Sequence, residues 1–289
     1  MKVILKKIPL YESFDFNTEE DENFDIIIES HRYKKFLEDN YDIKGQIKPY
    51  KKDGILFIDI DGDVMVKNKK LTSLINGRFC FGKVKGSFYC NRCHFLTSLE
   101  GAPKEVGGKF DCASCSALKT LEGAPEIVGG DFSCYACKHL TLLEGAPSTV
   151  GGKFECALCH SLTSLKGAPK EVGTDFYCNN CNSLTTLEGA PEKISGSFYC
   201  PECDSLSSLK GSPKEVREAF SCFSCISLTS LEGAPKIVGT DFYCDSCISL
   251  TSLKGAPKEI GRDFDCRYCG SLKSINLPVT TKIKGEIYK

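Results

Sequence analysis

Phe110-Asp-Cys-Ala-Ser-Cys-Ser-Ala-Leu-Lys-Thr-Leu-Glu-Gly-Ala-Pro-Glu-Ile-Val-Gly-Gly-Asp131 is one unit of the repeat that decides the fold. Its motif Phe-x-Cys-x-x-Cys occurs nine times between Phe88 and Cys269, at a constant step of 22 residues without insertion or deletion. A fixed period of about 20–50 residues is typical of a solenoid, in which each unit buries its apolar side against its neighbours. The constant spacing predicts one full coil per unit, because an extra residue would put the inward side chains out of register.

Alternating apolar residues before and within the motif predict one short β-strand per coil. The strands of successive coils would stack as a parallel sheet with a spacing of about 4.8 Å, and the remainder of each coil would form an irregular back. Gly123-Ala-Pro125 ends any regular element, because proline lacks a backbone donor and fixes φ, and Gly107-Gly108 supplies a turn. The predicted inward positions of one coil are Val106, Phe110, Cys112, Cys115, Leu118 and Leu121.

The N-terminal segment, residues 1–61, does not repeat, and we predict that it forms a small α/β cap over the first coil. Helical spacing of its polar and apolar residues predicts a helix over Ile26–Tyr41, and β-branched residues predict a strand over Gly54–Ile60. The stretch from Tyr11 to Ser30 contains eight acidic residues and no basic residue. It is either a solvated segment or an acidic docking segment.

Two incomplete coils flank the nine repeats. Residues Met65 to Leu74 align with Cys90 to Leu99 as a degenerate first coil, in which Asn68 replaces the second cysteine. At the other end, residues 282–289 repeat the strand pattern and predict a terminal strand. The predicted domains are therefore a cap at 1–61 and a solenoid of about eleven coils at 62–289, with the regular repeats at 88–275.

Charge and hydropathy exclude several classes of partner. The formal net charge is −1, so no overall field attracts nucleic acid or an anionic membrane. No apolar run approaches the ~20 residues that span a bilayer. The N-terminus has three consecutive apolar residues before Lys6, too few for the core of a signal peptide. These features predict a cytoplasmic protein.

The repeat resembles leucine-rich repeats, whose core reads Leu-x-Leu-x-x-Asn/Cys-x-x-Leu. Phe110-x-Cys112-x-x-Cys115-x-x-Leu118 takes that place here, and Asn68 stands at the family's asparagine position. The run Cys159-His-Ser-Leu-Thr-Ser-Leu165 is also similar to the treponemal-type (BspA-like) repeats of bacteria, although Gly-Ala-Pro then departs from them. Units of this type resemble repeat proteins encoded by bacteria and their phages, which implies the cytoplasm of a bacterium or of an infected host cell, with the virion as an alternative location. The resemblance covers residues 62–289 and implies a leucine-rich-repeat-like solenoid that binds a partner through its outward strand face.

The 18 cysteines of the repeats allow three interpretations. Buried, inert thiols could form a ladder of identical residues. Pairs of Cys-x-x-Cys separated by 18 residues also fit the spacing of four-cysteine zinc sites. Disulfides are the third interpretation. The candidate metal ligands are Cys90, Cys93, Cys112, Cys115, Cys134, Cys137, Cys156, Cys159, Cys178, Cys181, Cys200, Cys203, Cys222, Cys225, Cys244, Cys247, Cys266 and Cys269.

No catalytic constellation is present in the sequence, so we expect a protein that is not an enzyme and has no cofactor, zinc being the alternative. Function is then expected on the outward face, where tyrosine and arginine are favoured at interfaces. The leading hypothesis is a protein–protein interaction scaffold. The alternatives are a metal-binding or redox-responsive cysteine array and a structural protein that assembles end to end. The candidate binding residues are Tyr89, Arg92, Tyr135, Tyr177, Asn179, Tyr199, Phe223, Tyr243, Arg267 and Tyr268.

Overall fold

The chain folds as a parallel β-solenoid of about 10 turns, which confirms the predicted fold class. The computed structural model describes residues 34–74 and 79–289. A two-residue strand that begins at the repeat phenylalanine pairs in register with the equivalent strand of the next coil. Two residues ending in Val or Ile, located just before it, form a second and equally short strand. We call these the Phe strands and the Val strands.

The elements have the following bounds. The N-terminal elements are a helix α1 at residues 34–40 and the strands β1 (Tyr41–Lys52), β2 (Ile55–Val66) and β3 (Phe79–Val84). The Phe strands are β4 (Phe88–Tyr89), β6 (Phe110–Asp111), β8 (Phe132–Ser133), β10 (Phe154–Glu155), β12 (Phe176–Tyr177), β14 (Phe198–Tyr199), β16 (Phe220–Ser221), β18 (Phe242–Tyr243), β20 (Phe264–Asp265) and β22 (Ile287–Tyr288). The Val strands are β5 (Glu105–Val106), β7 (Ile127–Val128), β9 (Thr149–Val150), β11 (Glu171–Val172), β13 (Lys193–Ile194), β15 (Glu215–Val216), β17 (Ile237–Val238), β19 (Glu259–Ile260) and β21 (Lys282–Ile283).

The N-terminal end of the solenoid is covered by a β-hairpin. Strands β1 and β2 pair antiparallel over their whole length, and Asp53 and Gly54, both with positive φ, form the two-residue turn that such hairpins favour. The other edge of β2 pairs in parallel with β3 and β4, so β2 is also the strand of the first coil. The predicted strand at Gly54–Ile60 is thus confirmed and extends to Val66, and the predicted limit between residues 61 and 62 lies inside it.

The predicted N-terminal helix is confirmed only for residues 34–40, and its earlier part lies outside the described residues, as does the acidic stretch from Tyr11 to Ser30. Within α1, Phe36 packs its ring 5.9 Å from the ring of Phe79 and 6.3 Å from that of Tyr41. These contacts fix the helix to the first coil. No helix in the described ranges is long and apolar enough to span a bilayer.

The core is a set of columns in which each inward residue contacts the same residue of the next coil. The nine phenylalanine rings from Phe88 to Phe264 stack with centroid distances of 5.1–5.6 Å and interplanar angles of 2–12°. Stacked aromatic pairs contribute about 0.5–1.5 kcal/mol beyond their burial. The predicted inward positions are all buried, which confirms them: Val106, Phe110, Cys112, Cys115, Leu118 and Leu121.

The first coil departs from the predicted alignment at one position. Met65 pairs with Tyr89 and is 43% exposed, whereas Val66 is fully buried in the place that Cys90 holds in the next coil. The alignment of Met65 with Cys90 is therefore wrong. Strand β2 pairs with β4 so that Val66, one residue after Met65, is the equivalent of Cys90. Asn68 does occupy the place of the second cysteine, and its amide Nδ2 donates a hydrogen bond of 2.7 Å to Asn40 Oδ1.

The residue after a Val strand, which is glycine in six of the nine coils, controls how closely the coils approach. Its N–H donates to the Val-strand carbonyl of the preceding coil at 2.8–2.9 Å, in the six coils that have glycine there: Gly107, Gly129, Gly151, Gly173, Gly239 and Gly261. A Cβ at these positions would overlap a carbonyl oxygen of the preceding coil. Consistent with this, the same hydrogen bond lengthens to 3.2 Å at Ser195 and 3.1 Å at Lys284.

At Arg217, the third departure from glycine, no such bond forms within the described chain, and the Val-strand sheet divides between β13 and β15. The Phe strands of the same two coils remain paired. The solenoid therefore has one junction at which its coils are joined by a single strand ladder.

We predict that Gly129→Arg creates a second junction of this kind. The added Cβ would displace the Gly129 N–H from the Val106 carbonyl, and we expect a loss of about 1–3 kcal/mol of stability. Urea unfolding and hydrogen exchange at residue 129 measure the effect. In the wild type, the amide of Arg217 should already exchange faster than that of Gly239.

The matched control for this substitution is Gly130→Thr, one residue further along. Thr174 and Thr240 occupy the equivalent place in other coils and keep their inter-coil hydrogen bonds, at 3.2 and 3.1 Å. A Cβ at Gly130 would lie 2.8 Å from the Gly108 carbonyl carbon, a smaller overlap than the 2.4 Å at Gly129, so the control should cost less stability than Gly129→Arg. Equal destabilisation by both variants would contradict the assignment of the junction to the missing glycine.

Candidate functional site

The outward face of the Phe strands continues into a β-turn formed by each Cys-x-x-Cys. In all nine turns the second middle residue has a positive φ of 55–60° although it is never glycine. In the first eight of these turns its N–H donates to the carbonyl of the first middle residue of the next coil, for example Ser114 to Tyr135 at 2.7 Å. The inter-coil hydrogen bonds therefore hold a conformation that L-residues otherwise adopt rarely. Because both cysteines point inward, the two middle side chains project outward.

The structure places all ten predicted binding residues on this outward face, on three neighbouring columns. Four tyrosines, Tyr89, Tyr177, Tyr199 and Tyr243, follow the repeat phenylalanine and are half-buried. The first middle position of the turns holds Tyr135, Asn179, Phe223 and Arg267, and the second middle position holds Arg92 and Tyr268. The most exposed aromatic among them is Tyr268, at 77%.

Only some of these residues are brought together. Tyr177 and Tyr199 are adjacent in the Phe-strand ladder, Tyr243 lies two coils beyond Tyr199, and Phe223 belongs to the coil between them. Tyr89 is separated from this group by three coils that carry Asp, Ser and Glu in the tyrosine column. The aromatic residues that lie on four successive coils are thus Tyr177, Tyr199, Phe223 and Tyr243.

The central tyrosine pair is held in a defined position. The rings of Tyr177 and Tyr199 stack at 4.9 Å with an interplanar angle of 11°. The Tyr177 hydroxyl donates to Asp175 Oδ2 at 3.2 Å, and Lys153 Nζ lies 5.7 Å from the Tyr177 ring centroid. Burial and the carboxylate of Asp175 raise the pKa of Tyr177 to about 12, so its hydroxyl remains a donor at neutral pH.

Four carboxylates flank these aromatics; sequence reasoning expected Glu202 and Asp245 on the outward face and missed Asp175 and Asp204. Asp175 precedes a Phe strand, whereas Glu202, Asp204 and Asp245 lie in or just after the cysteine turns. None of the four forms an ion pair with any residue of the described ranges. Burial and the nearby Asp265 raise the pKa of Asp245. The available signal was the aspartate that precedes the phenylalanine in several repeats.

The cysteines form the ladder of the first interpretation. The thiol of each second cysteine donates to the carbonyl of the first cysteine of the preceding coil, with Sγ···O distances of 3.1–3.3 Å in eight successive pairs. For example, Cys137 donates to the Cys112 carbonyl, which also accepts from the Cys115 N–H. A small side chain with a weak donor satisfies this inward carbonyl without breaking the column.

All 19 cysteines lie in the described part of the chain and are free thiols. Among residues 34–74 and 79–289, no group of three or more His, Cys, Asp or Glu side chains is placed to hold a metal ion. The four-cysteine zinc site stays a prediction that metal analysis of the purified protein would test.

Burial makes several of the ladder thiols weak acids, and this predicts how stability depends on pH. Cys247 is an exception, because its hydrogen bond to Cys222 lowers its pKa. Burial raises the pKa of Cys266 to about 11 and that of Cys269 to about 12, and raises those of Cys178 and Cys244 well above the ordinary 9.0. A group whose pKa is raised in the folded state contributes its full stabilisation of the fold at pH values below its unfolded-state pKa. The contribution is then lost as the pH rises, because the unfolded chain ionises first. We expect the urea midpoint to be constant between pH 6 and about 8 and to fall steeply above about 9.

The same burial predicts the pattern of thiol alkylation at pH 8. Only the half-buried Cys80 should react with iodoacetamide in the native protein, and the other 18 should react after unfolding. Cys80→Ser is the control, since it should abolish the native-state reaction. Rapid native-state alkylation of the ladder cysteines would contradict the structure.

Comparison with known proteins adds no relative to this description. No protein-family model, no curated protein and no solved structure matches the chain at a significant level.

Proposed function

We propose that this chain is a non-enzymatic scaffold that binds a protein partner through the outward face of its Phe strands and cysteine turns. The observation that carries the proposal is the stacked pair Tyr177 and Tyr199, displayed half-exposed on a rigid ladder beside Phe223 and Tyr243. Tyrosine is enriched among the residues that dominate interface energies. Side chains already held in place lose little further entropy on binding.

The backbone supports this proposal because it separates the surface from the core. The nine regular coils repeat the same inward Phe, Cys and Leu residues, whereas the outward column carries Tyr, Asp, Ser and Glu in different coils. A cross-strand role for the aromatics would account for the single Tyr177–Tyr199 pair. It would not account for Phe223 and the exposed Tyr135 and Tyr268 in the turns.

The type of repeat protein and its cellular location are part of the same proposal. Two leucine columns, the asparagine at position 68 and the 22-residue coil support a leucine-rich-repeat-like protein of the bacterial or phage type. A chain with 19 free thiols suits a reducing compartment, so we place the protein in the cytoplasm of a bacterium or of an infected cell. No reaction, cofactor or nucleic acid is assigned to it.

We predict that Tyr177→Ala combined with Tyr199→Ala abolishes partner capture while leaving the fold intact. The test is affinity capture by the full chain from extracts of the source cells, followed by mass spectrometry of the retained proteins. The double substitution removes the contact area of two tyrosines. Because a hot-spot residue contributes about 2 kcal/mol or more to binding, we expect the affinity for the partner to fall at least about a hundredfold.

The control carries Ile127→Ala and Ile237→Ala, two exposed apolar residues of the Val strands on another side of each coil. This variant should capture the same proteins as the wild type. Retention of every partner by the tyrosine variant would remove this face as the binding surface.

A further inference from the structure

In the aromatic part of the outward face, all charged side chains are negative. We define the acidic aromatic strip as Tyr177, Tyr199, Phe223 and Tyr243 together with Asp175, Glu202, Asp204 and Asp245. The outward columns of these four coils, residues 175–182, 197–204, 219–226 and 241–248, contain five carboxylates and no Lys, Arg or His. The fifth, Asp241, has a cationic partner in Arg262 at 3.6 Å. The other four carboxylates form no ion pair within the described chain, and only Asp245 is partly offset, by the positive charge of Arg267 in the next coil.

This imbalance is local, because the chain as a whole is nearly neutral at −1. Basic residues do occur on the same face outside these coils, for example Lys109 and Lys153 on one side and Arg267 on the other, and each of the three pairs with a carboxylate. Lysines of the central coils lie on other sides and have their own partners: Lys193 with Glu171, Lys210 with Glu188, and Lys254 with Glu232. They do not neutralise the strip.

The last coil shows what kind of group this arrangement holds. There the guanidinium of Arg267 donates to both carboxylate oxygens of Asp265, with Nη2···Oδ2 at 2.6 Å. The Arg267 Cζ lies 5.1 Å from the centroid of the Tyr288 ring. One arginine thus satisfies a carboxylate and an aromatic face of the outward column together. Lys153 above Tyr177 is a second example of a cation placed beside a tyrosine of this column.

Some carboxylates of the strip are already positioned to accept a further donor. Asn180 Nδ2 donates to Glu202 Oε2 at 2.6 Å, and Asn182 Nδ2 donates to Asp204 Oδ2 at 3.2 Å. Each of these bonds uses one oxygen, and a guanidinium or ammonium donor can use the other. The aromatic rings offer their faces to the same cation.

We propose that the partner presents an arginine- and lysine-rich segment to the acidic aromatic strip. This inference rests on the proposed function and adds the chemistry of the partner. The partner's cations take the place that Arg267 fills at the last coil, each contacting a carboxylate and an aromatic ring. The strip spans three inter-coil steps, about 14 Å, which matches an extended segment of about four to five residues. An acidic or phosphate-bearing segment would be repelled by the same carboxylates.

The test uses the full chain and three fluorescent peptides of equal length, in which every second residue is Arg, Lys or Glu and the others are Ser or Gly. Fluorescence anisotropy measures binding at low and at physiological salt. The Arg peptide should bind most tightly, because it combines a forked donor with aromatic stacking. The Lys peptide should bind more weakly and the Glu peptide should not bind. The affinity of the cationic peptides should fall as salt is raised.

Two charge-matched variants identify the site. Glu202→Gln with Asp204→Asn removes two charges from the strip, and we expect Arg-peptide binding to weaken about tenfold or more. Glu188→Gln with Glu232→Gln changes the net charge equally on another side, at exposed ion pairs that contribute little to stability, and should leave binding unchanged. Equal weakening by both variants would mean non-specific attraction and would overturn the proposal, as would no weakening by the first.

The two proposals fail in different ways. If partner capture depends on Tyr177 and Tyr199 but the Arg peptide does not bind, the face is an interface and the inferred partner chemistry is wrong. If neither capture nor Arg-peptide binding changes in the tyrosine variant, the interface itself is wrong. Loss of both in that variant, with loss of peptide binding in the Glu202 and Asp204 variant, supports both proposals.

Discussion

Each coil satisfies its inward-facing groups almost entirely with the equivalent groups of the next coil, 22 residues further along the chain. Neighbouring coils stabilise each other through both apolar packing and hydrogen bonds. Phenylalanine rings stack on phenylalanine rings, and backbone N–H groups of one coil donate to carbonyls of the next. Because a solenoid has no long-range contacts to compensate for an error, the register between neighbours carries the stability of the whole array. The same dependence makes the repeat length constant.

Cysteine suits this register for a physical reason. The thiol of the second cysteine supplies a weak donor to the first-cysteine carbonyl of the preceding coil. In three turns that carbonyl, of Cys112, Cys134 or Cys222, also accepts from the N–H of the second cysteine of its own turn. A larger polar side chain would interrupt the apolar columns, and an alanine would leave that donor out. The first coil solves the problem differently, with Asn68 bonded to Asn40 of the terminal helix. The cysteine columns therefore have an explanation in packing and hydrogen bonding.

The period and the inward positions were predictable from the sequence, because a repeat repeats its environment. Two features were not. The slip between Met65 and Val66 arises where a long hairpin strand enters the first coil, and no repeated neighbour marks it. The divided sheet at Arg217 depends on the contact of one Cβ with the preceding coil. On the outward face, residue types predicted exposure, whereas the absence of ion pairs around Glu202 and Asp245 depends on which side of the coil each lysine occupies.

The left-handed residue in each cysteine turn has a consequence for how such a surface can change over time. Across nine coils this position holds Arg, Ser, Ala, Leu, Asn, Glu and Tyr, with no β-branched residue and no proline. The conformation thus excludes a few side chains by shape and is indifferent to the chemistry of the rest. The position therefore accepts many types of side chain. Single substitutions at this position can change the outward surface without changing the fold, and duplication of a coil adds one more such position.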